Sequence, residues 1–108
     1  MNENDLSYIA GFFDGEGCAY VSNPKASNGK RYPRVLAKIA QNDREVLDWI
    51  AELFGFGKVY GKGDGTANMN IVFASKQARK FLTAVEPYLR VKKESVTEIL
   101  DLHGREPM

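Results

Sequence analysis

Asp14 and Glu16 stand on either side of Gly15, with Gly11 and Gly17 close by, so three glycines and two carboxylates fall within seven residues. Carboxylates and backbone carbonyls are the oxygen donors that hold a hard divalent cation such as Mg2+. The residues ahead of them, Tyr8 to Phe13, read as a helix. An acid at the last turn of a helix faces the partial negative end of its dipole and is unfavourable unless a cation sits nearby. The same residues are also compatible with a plain packing face that ends in two solvated acids. In both cases the glycines call for a cause, because an interior glycine costs a helix about 1 kcal/mol relative to alanine.

Helical spacing supplies a cause. Gly11 and Gly15 are four apart and stack on one face, with Ala10 and Asp14 beside them, while Ile9 and Phe13 form a second, bulky pair suited to the core. The helix is therefore apolar on one side and nearly flat on the other. A flat face lets a second helix approach closely, as in small-xxx-small pairs. The segment Ile9 to Gly17 resembles the signature of the LAGLIDADG homing endonuclease family. Ala10, Gly11, Asp14 and Gly17 match it, and Ile9, Phe12 and Phe13 are apolar where the pattern is apolar. The sequence departs at Gly15, where the family has alanine, and at Glu16, where it has aspartate; smallness and negative charge are both kept.

The elements around this segment follow in order. The 108 residues suffice for one domain, read as 1–108, with a single core. The motif helix spans about 5–16, capped by Asn4 or Asp5. Strands are expected at 18–23, 32–41, 58–62 and 68–73. In the second, Val35, Ala37 and Ile39 share one face and Arg34, Leu36 and Lys38 the other. Asn28-Gly29 marks a turn in a long connection whose Lys25, Lys30 and Arg31 suit a flexible, phosphate-touching arm. Asn42, with Glu45 behind it, starts a second helix carrying Val46, Leu47, Ile50, Leu53 and Phe54 inward and closed by Gly55. Ser75 starts a third, with Ala78, Phe81, Leu82 and Val85 inward and Pro87 at its end. A short last helix buries Val96, Ile99 and Leu100, and His103 reads as a terminal-turn residue.

Net charge is only +1, yet 18–41 carries Lys25, Lys30, Arg31, Arg34 and Lys38 without one acid. Such segregation gives either a basic face on a near-neutral protein or lysines that merely solvate a hairpin. Asn68 and Asn70 are types that read adenine edges in the major groove, and are also ordinary surface residues. The single Cys18 excludes an internal disulfide and a cysteine-based zinc site. No signal peptide or membrane-length apolar run is present, so the chain reads as intracellular, cytoplasmic or organellar.

What the resemblance implies is more specific. It implies an α+β fold of αββαββα type, a four-stranded antiparallel sheet with helices on one face, over nearly the whole chain. It implies a site-specific DNA endonuclease that makes metal-dependent staggered double-strand cuts, from a family encoded in introns, inteins or free-standing frames. Glu16 would hold Mg2+ or Mn2+, with the Gly15 carbonyl as an added ligand. Gln41 would position water and Lys92 would balance charge near the scissile phosphate. One motif supplies one metal-binding carboxylate, so two chains would pair through Ala10, Gly11 and Asp14 as a homodimer on a near-palindromic double-stranded target. Ser22, Arg34, Lys38, Tyr60, Lys62, Asn68 and Asn70 would face the DNA, with no small-molecule cofactor and no membrane. The same scaffold also serves non-cleaving modules, such as intron RNA-splicing maturases and DNA-binding regulators. A retained carboxylate at position 16 favours cleavage over these, and over a domain that binds another protein through its glycine face.

Overall fold

A computed structural model describes residues 1–61 and 69–108. The described elements are α1 (Glu3–Glu16), β1 (Gly17–Ser22), β2 (Arg34–Ala40), α2 (Arg44–Phe54), β3 (Lys58–Tyr60), β4 (Asn70–Ala74), α3 (Lys76–Val85), a 3-10 turn (Glu86–Tyr88) and α4 (Lys93–His103). The strands form one antiparallel sheet in the order β1-β2-β4-β3. This is the α+β, αββαββα architecture expected, with the short last helix, α4, following α3 after a 3-10 turn.

Alternation in the strands decides which side the helices cover. Val35, Ala37 and Ile39 of β2 and Ile71 and Phe73 of β4 are buried with Ile9 and Phe13 of α1, Leu47, Ile50 and Phe54 of α2, Phe81 and Leu82 of α3, and Val96 and Leu100 of α4. Each fully buried side chain of this size contributes about 1.5–3 kcal/mol. Phe73 stacks on Phe81 at 4.3 Å, and Phe54 and Phe13 reach the same ring at 5.0 and 5.6 Å. The sequence positions expected to face inward on α2, α3 and α4 do so, with Leu53, Val46 and Ile99 only partly buried.

Several boundaries move for local reasons. Asn2, not Asn4 or Asp5, caps α1: its Oδ1 accepts the Asp5 N–H at 2.8 Å, and the helix starts at Glu3, two residues earlier. Asp43 rather than Asn42 caps α2, accepting from Glu45 and Val46 N–H at 3.0 and 3.4 Å. β2 begins at Arg34 instead of 32, since Pro33 has no N–H for the ladder. β1 starts at Gly17, directly off α1. The 62–68 stretch, which contains Lys62, Asn68 and the Gly63-Asp64-Gly65 turn, lies outside the described residues.

Candidate active site and nucleic-acid interface

The end of α1 is built around a glycine that its own core demands. A Cβ at Gly17 would lie 2.3 Å from the buried Phe13 ring, so only glycine lets the chain leave the helix there and run straight into β1. Glu16 is consequently held at the junction of helix and sheet. Its side chain is exposed and has no hydrogen bond or ion pair among the described residues.

Asp14 has a different task from the one expected of it. Its carboxylate accepts the backbone N–H of Arg90 at 2.8 Å and of Lys92 at 3.0 Å, and the Lys92 ammonium donates to the Asp14 carbonyl. Burial raises its pKa, but the N–H groups of Lys92, Arg90 and Val91, with the Lys92 charge, more than offset this and hold it below the ordinary aspartate value. Asp14 is therefore an internal anchor between α1 and the segment before α4, not an open contact. Ala10, four residues earlier on the same stripe, is fully buried in the core and cannot meet another chain. The outward stripe is Ser7, Gly11 and Gly15, next to the exposed Tyr8. A Cβ at Gly11 or Gly15 would meet nothing within 4 Å, so neither glycine is required by the chain's own packing. Beside this stripe runs a groove of about 430 Å³ walled by Ser7, Gly11 and Asp14 on one side and Pro87 to Arg90 on the other.

The anchor also delivers Lys92. Its ammonium is fixed on the last turn of α1, two residues before Glu16, which places a cation at the negative end of the helix dipole. Gln41 follows β2 at the same end of the sheet as Glu16, since the ladder closes on the pair Gly17 and Ile39, one residue after Glu16 and two before Gln41. Gln41 is oriented by two contacts, its N–H to Met69 O at 2.9 Å and its Oε1 accepting from Asn42 N–H at 2.8 Å. Among the described residues no three His, Cys, Asp or Glu side chains converge as a metal cage. The donors present are one free carboxylate and the carbonyls of a helix end. They fit a hard cation that draws its other oxygens from elsewhere.

Across the sheet, directly paired residues share a face, and this gathers most of the expected DNA contacts. On the side away from the helices, Ser22 pairs with Arg34, Tyr20 with Leu36 and Ala74, Cys18 with Lys38, Val72 and Lys58, and Ala40 with Asn70 and Tyr60. Ser22, Arg34, Lys38, Tyr60 and Asn70 thus lie on one surface that ends at Glu16. Sequence reasoning missed Tyr20 and Lys58, whose ring and charge contribute here: the Lys38 ammonium lies 5.9 Å from the Tyr20 ring centre and the Lys58 ammonium 5.1 Å from that of Tyr60. The alternation of Cys18, Tyr20 and Ser22 could have placed Tyr20. Leu36 belongs to this face by register and is nonetheless buried.

The β1–β2 connection differs from the flexible arm expected. Lys25 pairs with Arg31, Ala26 N–H bonds Lys30 O at 2.8 Å, and Gly29 N–H bonds Ala26 O at 2.9 Å. With Gly29 at φ 83° this is a three-residue hairpin tip whose last position needs a left-handed backbone. Lys25, Lys30 and Arg31 are exposed on it, and the Arg31 guanidinium donates to Asn23 O at 2.9 Å.

Comparison with known proteins extends this geometry. A family model described as LAGLIDADG endonuclease matches residues 9–98. The DNA endonuclease I-CreI of Chlamydomonas reinhardtii is 26% identical over 106 residues, which cover 94% of this chain and 63% of that protein. This chain thus spans less than two thirds of that relative's length. The homing endonuclease I-CvuI, solved in complex with the I-CreI target, has the same fold at a TM-score of 0.80 and 22% identity, over 93% of this chain and 66% of that one. The archaeal intron-encoded I-Vdi141I, complexed with DNA, matches at 0.76 and 24%, over 94% and 67%.

Proposed function

This chain belongs to the LAGLIDADG endonuclease family, and from that premise we propose that it acts as a homing endonuclease, a homodimer making divalent-metal-dependent, staggered double-strand cuts in a long, near-palindromic DNA. The observation that carries the reading is Glu16. It is a free, exposed carboxylate at the point where the motif helix meets the basic, aromatic sheet face, with Lys92 fixed on the Asp14 carbonyl of the same helix turn.

Glu16 and the Gly15 carbonyl would hold the cation, Mg2+ or Mn2+. When bound, such a cation supplies charge stabilisation at the phosphodiester and a water of lowered pKa. The remaining work belongs to the chain. Lys92, set by the Asp14 anchor, adds positive charge where the phosphate becomes more negative. Gln41, held by its own backbone contacts, orients the attacking water through its amide. Ser22, Arg34, Lys38, Tyr60 and Asn70 align the duplex along the open face by base and phosphate contacts, joined by Lys62 and Asn68 and by Lys25, Lys30 and Arg31 on the hairpin tip.

The dimer follows from one carboxylate per chain and from Gly11 and Gly15. Each glycine costs α1 about 1 kcal/mol, and the chain itself gains nothing from them. A second α1 packed against Ser7, Gly11 and Gly15 gives the reason, and brings two copies of Glu16 toward the two-fold axis. Among the described residues no helix is long and apolar enough to cross a membrane.

The test is cleavage of a randomised duplex library with magnesium, comparing the native chain with Glu16→Gln by sequencing the cut ends. Staggered cuts at a near-palindrome, lost in the variant while binding survives, are expected; the loss should be on the order of 100- to 1,000-fold, typical of removing one charge-stabilising group. Selective binding by both proteins with no cutting by either would assign the chain to the non-cleaving modules instead.

A further inference from the structure

A second basic surface lies at the end of the sheet remote from Glu16. β2 begins and β4 ends there, joined by Ser75 N–H to Val35 O at 2.8 Å. Between these strand ends and α3 opens a crevice of about 240 Å³ lined by Arg34, Ser75, Lys76, Arg79 and His103, with no carboxylate among its lining residues. Three permanent cations on one small crevice repel one another unless an anion sits among them.

The chain supplies one such anion, and only in part. The Glu106 carboxylate lies 3.4 Å from Arg79 Nη1 and 3.6 Å from Lys76 Nζ, and its backbone N–H is held by Thr83 Oγ1 at 3.0 Å. The side chains of Arg34 and His103 make no hydrogen bond or ion pair with any described residue. Arg79 is only 26% exposed, and its guanidinium passes a glycine, Gly104, whose Cβ would lie 3.5 Å away. It is therefore a placed group, with most of its five donors still available. Arg34, Lys76 and Arg79 against Glu106 leave an excess of two positive charges.

Arg34 connects this crevice to the open face. By register it shares the reading surface with Ser22, and it also walls the crevice. The cationic surface therefore turns the end of the sheet without a break. A duplex lying along the strands must pass this end, and it presents one negative charge per about 1.7 Å of its axis. We propose that the crevice grips a backbone phosphate of duplex DNA flanking the bases read by the sheet, and that Glu106 sets the strength of the grip by neutralising one cation. The proposal rests on the DNA-cutting reading above and adds a contact that carries no sequence information.

The experiment measures binding of a 30-base-pair duplex of arbitrary sequence to the native chain, Lys76→Ala, Arg79→Lys, Glu106→Gln and Lys38→Ala over a series of KCl concentrations. Loss of one phosphate contact reduces the log–log salt slope by about 0.9. Lys76→Ala, present twice in the homodimer, should show about twice that reduction, so that its affinity loss between 50 and 200 mM salt is about 12-fold smaller than the native one. Arg79→Lys, which keeps the charge, should retain the native slope, and Glu106→Gln should tighten binding by about 3-fold, the range of an exposed ion pair. Lys76 is mostly exposed, so its removal does not threaten the fold. A native slope in Lys76→Ala together with unchanged affinity in Glu106→Gln, while Lys38→Ala weakens binding, overturns the flank contact and leaves the DNA reading intact. No duplex binding by the native chain overturns both.

Discussion

Replacing Gly11 by alanine should have opposite effects on one chain and on a pair of chains. In the isolated chain the new methyl group meets nothing within 4 Å, so the helix gains about 1 kcal/mol of propensity without a clash. For a domain of this size that raises the melting temperature by about 4 °C. In a dimer packed through Ser7, Gly11 and Gly15, the same methyl stands between two backbones, and two-fold symmetry introduces it twice. Overpacking costs about 1–3 kcal/mol per site, so association loses at least about 2 kcal/mol, a 30-fold or greater rise in the dimer dissociation constant. Sedimentation equilibrium measures the association, and melting curves over a range of protein concentration separate monomer stability from mass action. A variant that melts higher and dimerises as well as the native chain would refute the pairing of α1 with its copy.

Three further outcomes follow. The native fold should lose stability on acidification below about pH 4, because Asp14 has a lowered folded pKa and its contribution, present above the ordinary aspartate value, disappears as pH falls through the folded one; Asp14→Asn, measured by urea titration, should flatten this dependence and cost about 1–2 kcal/mol at neutral pH. Gly17→Ala should destabilise by about 1–3 kcal/mol through contact with the Phe13 ring, whereas Gly15→Ala should not destabilise the monomer; equal melting temperatures for the two would contradict the packing described. Lys38→Ala should weaken DNA binding evenly across sequences and lower the salt slope by about one per chain, while Asn70→Ala should relax preference at one base position in each half-site, as read by selection from a degenerate duplex pool.

Much of this was legible because it is written in local periodicity. The i, i+4 pair Ile9 and Phe13, the alternation through Val35, Ala37 and Ile39, and Gly55 after α2 each depend on neighbours within one or two turns, and each is found as expected. The motif residues pointed to the fold and to Glu16 for the same reason: spacing along one helix is a local property. Position on a helix face was not decided locally. Ala10, Gly11, Asp14 and Gly15 form two adjacent stripes of similar size, and only the arrival of α3, the 3-10 turn and the segment before α4 settles that Ala10 and Asp14 turn inward while Gly11 and Gly15 stay open. The Asp14 anchor spans 78 residues, and no pattern in either segment announces it. Strand register is likewise a pairing between distant segments, and it alone sets Ser22, Arg34, Lys38, Tyr60 and Asn70 on one surface with Tyr20 and Lys58. Sequence by itself determined which elements form and where a carboxylate could meet a cation. Tertiary packing decided which glycines face outward and which charges converge, because burial and register depend on what arrives from elsewhere in the chain.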